Sequence, residues 1–261
     1  MDFRQFELYL ESQNLAETTI NAHMRNIKKI AKVGLSQKIM INKLNEYPTW
    51  PRRLSVANTL SKYLQHKNQP NELIVAYIHE ANDEIQKEST KRQKDLAEDE
   101  TLPTLREMRE YTNSLFDKGD YRGYAIMYLF LTYTVRNQDL IAKVVKSKKE
   151  TNDTDNWFVV GRKRVTWIRN KYKTAEKYGL KSHVITNPKF VTAISKLDHL
   201  LKPTENIDRV IKKITEDIGG ITESTIVKIV LRENNTMAGL SRISKNRGTD
   251  VSTLIHSYNI T

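Results

Sequence analysis

From Phe3 to about Lys94, apolar residues recur at three- and four-residue intervals, interrupted at Gln13 to Leu15, Gly34 to Leu35 and Tyr47 to Pro51. Such spacing predicts an all-helical first unit. Within LAETTINAHMRNIKKIAKVG, Ile20, Met24, Ile27, Ile30 and Ala31 form one stripe, and Arg25, Lys28, Lys29 and Lys32 line the opposite face. A face of that kind reads either as a solvated lysine surface or as one that lies against phosphates. A second basic helix, opening with Arg52 and Arg53, is expected from Arg52 to Lys67, and a long polar one from Asn71 to about Lys94. The acidic LAEDETLP stretch then closes on Pro103 and reads as an exposed linker. The expected domains are therefore 1–95, an all-helical unit, a linker at 96–103, and 104–261.

Beyond the linker, TLREMREYTNSLFDKGD and YRGYAIMYLFLTYT each carry a helical period, the second almost wholly apolar from Ala125 to Leu131 and so expected in a core. The period then falls to two. NWFVVGR, RKRVTWIRN and SHVIT are β-branched and aromatic runs separated by Gly161 and by KTAEKYG, which predicts a three-stranded antiparallel meander. Helices resume near Pro188, and Gly219 and Gly220 mark a break before the last helical group. The predicted fold class is mainly α with a small antiparallel β-sheet.

Composition narrows the chemistry. A 38% hydrophobic content with no long apolar run argues for a soluble, intracellular protein without membrane partners, and the opening MDFRQFELYLESQ reads as neither a signal nor a transit peptide. The absence of cysteine removes disulfides, thiolate metal sites and cysteine nucleophiles, and six scattered histidines offer no metal motif. No cofactor and no metal are expected. The surplus of 43 Lys and Arg over 31 Asp and Glu, a formal charge of +12, favours a polyanionic partner, chiefly double-stranded DNA.

Breaking a DNA strand without a metal requires a nucleophile on phosphorus, cations for the non-bridging oxygens and a proton donor for the departing sugar oxygen. Arginine suits the second task, because its planar fork binds phosphate bidentately and stays charged. Lysine suits the third, because its pKa falls when it is desolvated or placed near cations. The chain presents these types in order: Arg136 in YTVRNQDL, Lys171 and Lys173 in RNKYKTAEKYG, Arg232 in KIVLREN, and Tyr258 in GTDVSTLIHSYNI, flanked by His256. Each alone also has a plainer reading, as a cap, a solvated turn lysine or a packed tyrosine.

Taken together, the order and spacing resemble the tyrosine recombinase and integrase family over nearly the whole chain. LAETTINAHMRNIKKI is similar to its helical core-binding unit, YTVRNQDL to its first-arginine motif, Lys173-Thr174 to the lysine on its β-hairpin, KIVLR to its second-arginine motif, and RGTDVSTLIHSY to its closing motif. The resemblance implies a core-binding domain followed by a mixed α+β catalytic domain, the two forming a clamp on DNA. It also implies Arg136, Lys173, Arg232 and Tyr258 as catalytic residues, with Lys228 and Thr249 in supporting places. Where the family carries His or Lys three residues before the second arginine, this chain has Ile229; its second His or Trp place holds Thr249. The implied reaction is a transesterification through a 3′-phosphotyrosine, by a homo-oligomer, expected to be a tetramer on DNA. A type IB topoisomerase and a non-catalytic DNA-binding protein remain alternatives.

Overall fold

The computed structural model describes residues 3–30, 36–98 and 102–258. Two compact units divide the chain, Met1–Asp95 and Leu96–Thr261. Ala31, Lys32, the Gly34 to Leu35 break and linker residues 99–101 lie outside the described residues, as does the side chain of His256.

The first unit consists of α1 (Arg4–Ser12), α2 (Glu17–Ile30), α3 (Gln37–Asn45), α4 (Trp50–His66) and most of α5 (Glu72–Glu98). Its core gathers Phe6, Leu10, Met24, Ile27, Met40, Leu44, Leu60 and Leu64, so the stripe of α2 faces inward, although Ile20 is only half-buried. The same helix also buries His23 and Asn26: Asn26 Nδ2 donates to Thr59 Oγ1 at 3.1 Å, and His23 Nδ1 lies 2.8 Å from that oxygen. Arg25, Lys28 and Lys29 are exposed. Arg52 and Arg53 are half-buried and already engaged. Arg53 Nε donates to Tyr47 O at 2.8 Å, its Nη2 to the carbonyl of Asn45, the last residue of α3, at 3.2 Å, and its guanidinium covers the Trp50 ring. Here an arginine satisfies carbonyls that a helix end leaves over. Helix α5 continues to Glu98, so the acidic stretch begins inside a helix and not at its end.

The second unit opens with α6 (Leu105–Asp117), whose Thr104 and Glu107 form a reciprocal capping box. The apolar α7 (Tyr121–Tyr133) follows and runs through the core. It ends at Thr134, buried in the left-handed conformation with φ 53°. A β-branched residue pays about 1–3 kcal/mol to sit there. This turn swings Val135 and Arg136 out of the helix, and a single 3-10 turn, Asn137–Leu140, comes next.

The sheet is mixed and four-stranded, in the order β1 (Lys143–Val145), β2 (Trp157–Val160), β3 (Val165–Arg169), β4 (Lys181–Ile185). Strands β2, β3 and β4 form the expected antiparallel meander. The purely antiparallel expectation is corrected by β1, which pairs parallel to β2. One sheet face buries Phe158 and Trp167, their rings stacked 5.6 Å apart, against α7 and α9 (Pro188–Ile194). Between β3 and β4 lies one helical turn, α8 (Ala175–Tyr178). The chain finishes with α10 (Ile207–Ile214), α11 (Glu223–Arg232), α12 (Met237–Arg247) and α13 (Val251–Tyr258). Among the described residues no helix is long and apolar enough to cross a membrane.

Candidate active site

Four elements converge where α7 ends: the turn at 134–139, the β3 and β4 ends holding Arg169 and Lys181, the start of α11, and the α12–α13 corner. Arg136 follows the left-handed Thr134, and its backbone N donates to Asp139 Oδ2 at 3.2 Å. Its side chain is half-buried, and Nη1 donates to Arg247 O at 2.5 Å. Burial first, then the neighbouring Arg247 cation, pull its pKa down. It stays charged nonetheless, since guanidinium does not lose its proton in proteins.

Arg247 closes α12, where a cation complements the negative end of the helix dipole, and Gly248 follows in the left-handed conformation that ends the helix. Its side chain is buried. Nη1 donates to Thr134 O at 2.8 Å and Val135 O at 3.0 Å, and Nη2 to Glu223 Oε1 at 2.9 Å and to Tyr258 Oη at 3.3 Å. Glu223, in the first turn of α11, also accepts from Asn137 N at 3.0 Å. The tyrosine hydroxyl is thus held on a cation. Its pKa is nevertheless raised, because burial outweighs the pull of Arg247.

Beneath lies a buried pair: Arg169 Nη1 donates to Asp139 Oδ2 at 3.1 Å, both side chains being fully buried. Asp139 therefore pairs its carboxylate with Arg169, and to Arg136 it gives only a backbone contact. Lys181 is the register partner of Arg169 across β3 and β4, and its ammonium donates to Lys245 O at 2.5 Å. Burial, then Arg169, lower its pKa to about 8. Next to it, His183 is held down to about 4 by burial, Arg169 and Lys181. Its folded pKa lies below the unfolded value of about 6.5. His183 therefore contributes stability that is complete above pH 6.5 and is lost as pH falls through about 4. Urea titrations from pH 7 to 4 are expected to show stability declining, and His183→Gln to flatten that decline.

The Lys181 side opens into a cleft of about 580 Å³ lined by Lys181, His183, Lys245, Asn246, Thr249 and Asp250. Arg136 and Tyr258 do not line it. In total the cluster sets four cations, Arg136, Arg169, Lys181 and Arg247, against two carboxylates, Asp139 and Glu223. A half-buried positive surplus of that kind suits an anion, and a phosphodiester in particular.

The structure brings together Arg136 and Tyr258 of the residues singled out from the sequence. Arg232 is not with them. It lies exposed in the last turn of α11, nine residues beyond Glu223, which puts it about 13 Å along the helix and about half a turn around it. That end of α11 meets the start of α6, where Glu233 Oε1 accepts from Leu105 N. Lys228, one turn before Arg232, is buried in α11, its pKa lowered by burial and by Arg232. Lys173 and Lys171 are exposed in the β3–β4 connection. Thr174, next to Lys173, donates to Gly248 O at 2.7 Å and so ties this connection to the corner before α13. Thr249 is half-buried in that corner, its carbonyl accepting from Ser244 Oγ at 2.6 Å. Arg247, Lys181, Arg169 and Glu223 were not singled out. Arg247 carried a signal, a last-turn cation before a glycine, eleven residues ahead of Tyr258.

No protein-family model and no curated protein matches the chain. Among solved structures it is similar to XerA recombinase, with 11% identity over 98% of this chain and 92% of that one, at a TM-score of 0.38.

Proposed function

We propose that the protein cleaves and rejoins DNA strands by transesterification, with Tyr258 as nucleophile. The observation that carries this reading is the Tyr258 hydroxyl held 3.3 Å from Arg247 Nη2, with Arg136 bonded to the same arginine's carbonyl. In the mechanism, a phosphodiester enters beside Arg136, whose free donors take its non-bridging oxygens. Arg247 keeps the phenolic oxygen directed at phosphorus. The phenolic proton leaves to water, the Tyr258 Oη–P bond forms, and the bond from phosphorus to the 5′-oxygen breaks. A 3′-phosphotyrosine and a free 5′-hydroxyl result, and reversal of the same steps rejoins the strand.

The departing oxygen needs a proton. Lys181 is the stronger candidate donor: it lies opposite Arg169, which is bonded to the turn that carries Arg136, and a pKa of about 8 leaves it mostly protonated at neutral pH yet ready to give the proton up. Lys173 is the alternative. The general-acid role requires the charged ammonium, so cleavage is expected to hold below pH 8 and decline above it. Lys181→Ala is expected to slow cleavage of ordinary DNA by about 10²–10⁴-fold and to spare a substrate with a 5′-sulfur leaving group, which departs without a proton. If Lys173→Ala gives that selective loss and Lys181→Ala does not, the roles are exchanged.

Double-stranded DNA as partner is supported by the charge of +12 and by the exposed Arg25, Lys28 and Lys29, through which the helical unit supplies a second grip on the same duplex. Integration or site-specific recombination, and assembly as a tetramer, extend this reading from the family resemblance. A second reading, a non-catalytic DNA-binding protein, is favoured by one observation: both terminal nitrogens of Arg247 are engaged within the protein. In that case Tyr258 merely closes the cluster.

A further inference from the structure

Arg169 has no role in the steps above, yet its side chain ties three elements of the unit together. It is fully buried at the end of β3 and reaches three separate elements. Nη1 donates to Asp139 Oδ2, in the turn that carries Arg136. Nη2 donates to Asn246 O at 2.9 Å, one residue before Arg247, and lies 3.0 Å from His183 Nε2 on β4, two residues beyond Lys181. Its guanidinium plane covers the Trp167 ring at 4.5 Å. A buried ion pair seldom adds net stability, because desolvating both charges costs about what their attraction returns. Its location therefore calls for another account.

We infer that Arg169 is the positioning residue of the reactive cluster, fixing Arg136, Arg247 and Lys181 relative to one another without itself touching DNA. The inference rests on the transesterase reading of the same site. A planar fork with several donors fixes three directions at once, which a lysine's single ammonium at that depth does not. Each direction ends within three residues of a proposed reactive group. Asp139 orients the backbone at Arg136, Asn246 sets the end of α12 before Arg247, and the β3–β4 register puts Lys181 directly opposite. The His183 ring, held neutral, accepts on Nε2 and so leaves the Arg169 charge undivided.

The charged groups around Lys181 are Arg169 on β3, Asp139 and Arg136 from the turn, and Lys245 on α12, with the Tyr172 and Tyr178 rings at 5.1 and 5.5 Å. Removing only the Arg169 charge therefore moves the Lys181 titration upward. Two variants, Arg169→Gln and Arg169→Lys, test the inference with two readouts. One is the rate of covalent adduct formation on nicked duplex DNA. The other is the pH dependence of Lys181 acylation by acetic anhydride in the DNA-free protein, read by mass spectrometry.

For Arg169→Gln, adduct formation is expected to slow by about 10²-fold, as misplacement by about 1 Å does, and the Lys181 titration to rise by about one pH unit. For Arg169→Lys, adduct formation should fall by at least about tenfold with the titration nearly unchanged, because the charge remains while the fork is lost. If Arg169→Gln does not fold, the rate of Arg169→Lys decides. Folded variants with wild-type adduct rates and a wild-type Lys181 titration overturn the inference and leave the transesterase reading standing. If wild-type protein forms no adduct while the Lys181 titration still moves, that reading falls and Arg169 remains the organiser of the cluster.

Discussion

Tyr258→Phe is expected to abolish covalent attachment to DNA, a loss of at least about 10⁴-fold in adduct formation, as removal of a nucleophile does elsewhere. Affinity should be nearly unchanged. The substitution deletes one oxygen and one hydrogen bond, from Arg247 Nη2, and keeps the half-buried ring that packs against the core. Stability should shift by only about 1 kcal/mol. Fluorescence anisotropy on a duplex and denaturing electrophoresis of the same mixture read both quantities. A variant that binds and still forms the adduct removes Tyr258 from the nucleophile's place.

Arg247→Ala should have the largest combined effect on activity and stability. It removes four hydrogen bonds in a buried setting, leaving the carbonyls of Thr134 and Val135 and the Glu223 carboxylate without their cation. Truncating one side of a buried ion pair costs about 3–5 kcal/mol. In a unit of this size the melting temperature should fall by on the order of 10 °C. Adduct formation should be lost as well, because Tyr258 loses the group that holds its hydroxyl. Arg232→Ala is the matched control. On the exposed end of α11 it should lower stability less than Arg247→Ala does and leave adduct formation close to wild type. Thermal melts and adduct formation on the two variants side by side decide which arginine belongs to the site. The reverse result would return Arg232 to the role its motif suggests.

The helices and the meander were legible in the sequence because their signals are local. The three- and four-residue stripe of α2, the apolar run of α7 and the period of two in β2 to β4 each arise within one element. Strand β1 was not legible. Three residues, Lys143–Val145, are too few to show a period, and their parallel pairing to β2 comes through the 146–156 connection without a hairpin turn to announce it. The start of the linker proved helical through Glu98, since Leu96, Ala97 and Glu98 are all strong helix formers.

Of the candidate cluster, Arg136 and Tyr258 stood out in the sequence because each sits at an element end with a recognisable neighbourhood. Arg232 stands apart from this cluster for a physical reason. Arg232 follows an apolar run, IVKIVL, so it looks like the charged end of a core helix, which it is. That end faces α6 and not the cluster. Arg247 stands in the polar run SRISKNRG, where a last-turn cation before glycine reads as ordinary helix termination. Nothing in their own segments marks Arg169, at the end of RKRVTWIRN, or Lys181, just ahead of SHVIT. Only the β3–β4 register, with Arg169 opposite Lys181, shows that the two ends share one place, and register is a property of pairing, not of either segment.

Covalent trapping tests Tyr258 as nucleophile most directly. Wild-type protein is incubated with nicked duplexes covering the DNA that flanks its own gene, quenched with detergent, digested and mapped by mass spectrometry. A phosphodiester-linked nucleotide on the peptide containing Tyr258 is the predicted result. Salt-sensitive binding to those duplexes with no adduct, or an adduct on another residue, would contradict it.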